Sequence, residues 1–116
     1  MSNKIARGAN YLLNRPLLQA DGTTDLQLAD CSQIKCDLVQ NGKTVASYTL
    51  AAGQALRPSD TSTSTAVLEL TSAVTAALAR GPLTEVWSIS VANPAFVTEP
   101  THAQVDVLTI NDIQIV

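Results

Sequence analysis

Aromatic residues are the scarcest resource in this chain: one Phe, two Tyr and one Trp in 116 residues. A ligand-stacking role would call for more such rings, and a carbohydrate-binding platform built from one Trp is thin. Charge is also thin. Only 15% of residues are charged and the net charge is −3, which leaves no basic surplus to neutralise phosphates. No run approaches the roughly 18 apolar residues of a membrane span, and residues 1–10 carry Lys4 and Arg7 without the apolar core of a signal peptide. Neither nucleic acid nor membrane is therefore expected as a partner. Two cysteines are too few for a disulfide framework. Cys31 and Cys36 lie five apart, with Cys36 in a strand pattern, beyond the roughly 7 Å a disulfide spans. Both are read as reduced thiols, in keeping with assembly in a cytoplasm.

Catalytic and metal-binding equipment is equally sparse. The one histidine, His102, sits beside Pro100 with no evident partner to orient it. Asp21, Asp25 and Asp30, with Gly22 among them, look like part of a calcium loop but lack its Asp-x-Asp spacing and closing Glu. They read more simply as turn and cap residues. The five glycines are scattered singly, so no phosphate-cradling loop forms. No enzyme activity, cofactor or metal is expected.

What the chain does have is aliphatic and β-branched content. A 46% hydrophobic fraction with so few aromatics means a core of Val, Leu, Ile and Ala, a mixture that favours strands. Turn signals recur at short intervals, the pattern of a sandwich or barrel. Residues 11–18 read as a first extended segment, with Pro16 marking an edge or break. A short strand is expected at Leu26, Gln27 and Leu28.

Two alternating segments, 33–40 and 43–50, flank Asn41-Gly42, the strongest short hairpin cue. A two-residue loop pairs Leu38 with Val45 and Ile34 with Thr49, which parts the apolar residues. A three-residue loop with Gly42 in a bulge pairs Cys36 with Ala46 and Ile34 with Tyr48, which keeps them together, and this register is expected. Residues 51–65 read as a long connection whose last seven, 59–65, are all small and polar, and hence exposed. Ala66, Leu68 and Leu70 mark one strand face. Thr71 caps a short helix over 72–79 that ends at Gly81-Pro82. Residues 83–92 form the best core strand, with Trp87, Ile89 and Val91 on one face. A weaker strand over 95–98 follows, and a last stretch over 103–116 resumes with Ile113 and Ile115 after Asn111-Asp112.

The expected fold is therefore all-β: an immunoglobulin-like two-sheet antiparallel sandwich of seven or eight strands with one short helical turn. Residues 1–10 are expected to be a flexible N-terminal arm and residues 11–116 a single domain. Trp87 should be buried, with Ile34, Tyr48 and Leu70 on neighbouring inner faces.

A resemblance adds to this reading. Leu18-Gln19-Ala20-Asp21-Gly22-Thr23 precedes Asp25-Leu26 and the strand from Ile34. Later, Leu68-Glu69-Leu70-Thr71-Ser72-Ala73-Val74-Thr75-Ala76-Ala77-Leu78 and Gly81 lead into the Trp87 strand. This order resembles small immunoglobulin-like virion structural proteins of tailed bacteriophages, such as the N-terminal domains of upper-baseplate proteins. The resemblance implies a virion component assembled in the host cytoplasm, acting in capsid decoration or in the tail or baseplate. With the domain as the whole chain, decoration or a connecting role is favoured over host attachment. Its partners would be other virion proteins and further copies of itself. Lys4, Arg7, Arg15, Ile113, Ile115 and Val116 are the expected partner contacts: the first three are the one positive cluster, in an arm that can dock on an acidic neighbour, and apolar residues at a chain end are usually tied down by their own sheet or a partner's. Two readings from other classes stand beside it: a carbohydrate- or cell-surface-binding sandwich, and a small accessory or inhibitor protein.

Overall fold

Apolar residues alternate with polar ones along nearly every extended segment, and the chain buries that period-2 face between two sheets. The structure, a computed structural model, describes residues 3–18, 23–91 and 104–116. Eight strands are seen there: β1 (Asn3–Ile5), β2 (Tyr11–Pro16), β3 (Cys31–Gln40), β4 (Lys43–Thr49), β5 (Leu56–Pro58), β6 (Thr65–Leu70), β7 (Gly81–Val91) and β8 (Gln104–Ile115). One short helix, α1 (Ser72–Ala77), joins β6 to β7. Five strands form one sheet in the order β1-β8-β7-β3-β4, and three form the other in the order β2-β6-β5. The molecule is an all-β sandwich.

The core follows the alternation. Ile34, Cys36 and Leu38 of β3, Leu83, Trp87 and Ile89 of β7, and Ile113 and Ile115 of β8 are buried from the larger sheet. Leu13, Leu56, Ala66, Leu68 and Leu70 meet them from the smaller one. Trp87 is fully buried and pairs with Cys36, which in turn pairs with Tyr48. Ile34 and Leu70 are buried in the same core cluster, and Tyr48 packs half-buried against it, as expected. The two cysteines are not joined in a disulfide. Thr71 caps α1, its hydroxyl accepting from the Val74 N–H at 3.5 Å, and Gly81 starts β7 at φ +119°, where a side chain would be strained.

Several details depart from the sequence reading. Pairing is antiparallel throughout the described strands except between β1 and β8, which run parallel: Asn3 opposes Ile113 and Ile5 opposes Ile115. Residues 3–5 are consequently a sheet strand, not part of a free arm, and Ile5 is 1% exposed. One buried isoleucine in a polar stretch carries too little periodicity to announce a strand. The β3–β4 hairpin adopts neither anticipated register. Asn41 and Gly42 form a two-residue turn with φ +54° and +75°, as a type I′ turn requires, so Gln40 opposes Lys43. An extra residue, Val45, then bulges out of β4, and from there Leu38 opposes Ala46 and Cys36 opposes Tyr48. The bulge achieves what the longer loop was expected to do: Ile34, Cys36 and Leu38 share a face with Ala46, Tyr48 and Leu50.

The stretch from Leu26 to Leu28 is not a strand. Its backbone is tied to two different segments, Leu26 N–H to Leu17 O at 3.0 Å and Leu28 N–H to Thr63 O at 3.0 Å, and a 3-10 turn follows over Leu28–Asp30. The long connection contains β5, and its Ser/Thr tail is folded back, not simply exposed. Ser59 and Ser62 hydroxyls accept from the N–H groups of Thr61 and Ser64, Ser59 N–H reaches Thr65 O, and Ser64 is buried. Small hydroxyl side chains satisfy such a loop locally. β8 runs straight through Asn111-Asp112 by absorbing an extra residue against Leu83 and Glu85 of β7. The expected strand over 95–98 lies outside the described residues.

Candidate interaction surface

The six expected contact residues divide by position. Arg15, Ile113 and Ile115 point inward. The two isoleucines are 0% and 2% exposed and are tied to β1 and β7. Arg15 crosses between the sheets from β2 to Glu85 on β7. Its Nε donates to both carboxylate oxygens, at 2.9 and 3.1 Å, and Nη2 donates to Oε2. Trp87 Nε1 donates to Glu85 Oε1 at 3.1 Å, which completes a buried polar triad. None of these three residues is on offer to a partner. Lys4, Arg7 and Val116 remain exposed at one corner, where Val116 N–H bonds Ile5 O at 2.9 Å and Arg7 Nη2 caps the end of α1 through Ala76 O at 3.0 Å.

Glu85 was missed in the sequence although its signal is present. It lies on the Leu83, Trp87 and Ile89 face of an alternating strand, and a carboxylate there requires a cation on the facing sheet. Arg15, on the same inward face as Leu13 and Leu17, is that cation.

Several titratable groups are engaged within the fold. Burial, reinforced by the Glu85 and Asp37 carboxylates, pushes the Cys36 thiol far above its ordinary value and keeps it protonated. Burial likewise raises the Tyr48 phenol, with Cys36 adding to the effect. Glu69 pairs with Arg57 at 2.8 Å on the outer face of the small sheet. Among the described residues no group of three His, Cys, Asp or Glu is gathered as for a metal ion. Of the calcium-like set, Asp25 is exposed and its backbone bridges to Leu18. Asp21 and His102 lie outside the described residues, as does the Asp30 side chain.

The described surface offers three exposed large apolar residues. Leu12 stands beside Val67 and the Arg57–Glu69 pair on the small sheet, Val116 is at the β1 corner, and Val45 is on β4. The β4 neighbourhood is the most developed. β4 closes one edge of the larger sheet, and among the described residues no strand pairs with its outer side. A groove of about 280 Å³ runs between its start and α1, lined by Val45, Ala46, Ala73, Val74, Ala77 and Leu78. A second pocket of about 430 Å³ lies past its other end, where Leu50 meets Leu28, Pro58 and the loop from Ser59 to Thr63. An open edge flanked by apolar hollows is the arrangement that strand addition uses.

No protein-family model, no curated protein and no solved structure matches this chain.

Proposed function

We propose that the protein is a non-enzymatic structural component that works through protein–protein contacts, in a tailed-bacteriophage virion as capsid decoration or as part of the tail or baseplate. The observation that carries the contact role is the open β4 edge with apolar hollows at both ends. Monomeric soluble domains usually blunt or cover such an edge. The placed charges add support, since Glu85 and Glu69 are paired internally and Cys36 is held protonated. The order β8-β7-β3 facing β2-β6-β5 supports an immunoglobulin-like arrangement and, with it, the resemblance to virion domains. A carbohydrate-binding role is disfavoured by the burial of Trp87, which removes the one indole from any stacking platform.

The test is quantitative mass spectrometry of phage particles purified through a density gradient. The chain should be present in fixed stoichiometry with the major virion proteins. Its absence from washed, infectious particles overturns the virion role.

A further inference from the structure

We propose that β4 pairs with β4 of a second copy of this chain, antiparallel about a two-fold axis at Tyr48, joining two five-stranded sheets into one. This rests on the contact-surface reading above and names the partner of that surface.

The hydrogen-bond phase of β4 identifies which backbone groups are free. Leu50 N–H donates to Ile34 O at 2.8 Å, so Leu50 and Ile34 are a hydrogen-bonded pair. Bonded and non-bonded pairs alternate in an antiparallel ladder. Tyr48 and Ala46 therefore also bond to β3, whereas Ser47 and Thr49 direct N–H and C=O toward the open edge. The Val45 bulge and Lys43 guard only the start of the strand, which leaves 46–50 as a regular stretch of edge.

Three features select a second copy of the same strand. Setting Ser47 opposite Thr49 of the copy, and Thr49 opposite its Ser47, matches the free groups reciprocally and gives four backbone hydrogen bonds. The same register sets Tyr48 against Tyr48 on the inner side, and Leu50 of the copy opposite Ala46. Ala46 is small and lines the groove beside α1, so the incoming leucine is directed to an apolar hollow. Charge is compatible with this register, though salt largely screens it at the separation involved. On β3, Asp37 lies beside Ser47 and Lys35 beside Thr49. With the axis at Tyr48, Asp37 shares a row with Lys35 of the copy, about 14 Å away across three strand spacings. An axis at Ser47 would instead align Asp37 with Asp37. Residues 44–54 carry no charge, so no like charges meet along the edge itself.

The first measurement is sedimentation equilibrium of the full chain from micromolar to millimolar concentration. The mass should rise from 12.2 kDa toward twice that value, and Thr49→Pro, which removes an outward N–H, should weaken dimerisation by about tenfold or more. Ser47→Lys combined with Thr49→Lys, which retains both N–H groups but sets lysines directly opposite each other across the seam, serves as the check if the proline variant fails to fold, and should weaken it in the same direction. The second measurement reads the register by oxidative cross-linking of Ser47→Cys and Thr49→Cys chains in a Cys31→Ser background. A hydrogen-bonded pair has Cα atoms about 5.5 Å apart, within disulfide reach. A mixture of the two variants should cross-link efficiently while each alone does so poorly. A chain that stays at its single mass throughout overturns the proposal, as does efficient cross-linking of Ser47→Cys alone. If the chain is monomeric yet present in particles, self-pairing fails while the virion role stands. A dimer absent from particles leaves self-pairing intact and removes the virion role.

Discussion

Arg15 and Glu85 join the two sheets by a bidentate ion pair whose carboxylate is fully buried and whose guanidinium is 13% exposed. Their strands lie on opposite sheets, so the pair crosses the interior where apolar contact would otherwise be continuous. A buried pair of this kind contributes little over a well-packed apolar replacement, but removing one partner strands a charge. Glu85→Ala or Arg15→Ala should therefore each cost about 3–5 kcal/mol in urea unfolding. The double replacement Arg15→Met with Glu85→Leu should recover part of that loss, the remainder reflecting the Trp87 N–H left without its acceptor. A single variant losing under about 1 kcal/mol would show the pair to be solvated in solution.

Trp87 is both the largest buried side chain and a donor to that carboxylate. Trp87→Ala should cost about 3–5 kcal/mol. Trp87→Phe refills much of the volume but leaves Glu85 Oε1 without the indole donor, so it should fall between wild type and Trp87→Ala. The native emission spectrum should be blue-shifted and poorly quenched by iodide. Efficient quenching would place the indole at the surface.

The two thiols should differ sharply. Cys31 is half-buried, whereas Cys36 is buried with its thiol pushed up by desolvation and by Glu85. A disulfide reagent at pH 8 should modify Cys31 quickly and Cys36 only at the rate of unfolding. The same shift has a pH consequence. The folded thiol titrates above its ordinary value of 9.0, so the unfolded chain loses its proton first. Stability attributable to this group is level below pH 9 and declines as the pH rises above it. Tyr48, also raised from 10.0, adds to the decline at still higher pH. Cys36→Ala should flatten the alkaline slope between pH 9 and 10, measured by urea unfolding across that range.

Ile5 tests whether the N-terminal strand is part of the fold. Its side chain is buried against Ile115, and Val116 N–H bonds its carbonyl. Ile5→Ala should cost about 2–5 kcal/mol, and deleting residues 1–5 at least as much. Hydrogen exchange at the Val116 amide should be slow in the full chain and fast after the deletion. An unchanged melting temperature on deletion would make the segment dispensable.

Much of the fold was legible because strand burial is written locally, one residue in two. The alternations in β3, β6 and β7, the Asn41-Gly42 turn and the Thr71 cap each involve residues close in sequence, and each appears where the local chemistry puts it. Trp87 could be assigned to the core for the same reason. The candidate surface was less legible. The expected contacts at Ile113 and Ile115 rested on their place near the chain end, and apolar residues there read alike whether their own sheet or a neighbour covers them.

By itself the sequence determined that this chain is a strand-rich sandwich with an aliphatic core and one buried indole, because period-2 patterning and turn chemistry act over a few residues. Only the tertiary structure decided which strands become edges, that Asn3–Ile5 closes one side in parallel with β8, that Arg15 meets Glu85, and that among the described strands none pairs with the outer side of β4. Those facts depend on pairings between residues up to 110 positions apart, as Asn3 and Ile113 are. Such distant pairings are selected by the global closure of two sheets over one core, and no local stretch of sequence encodes them.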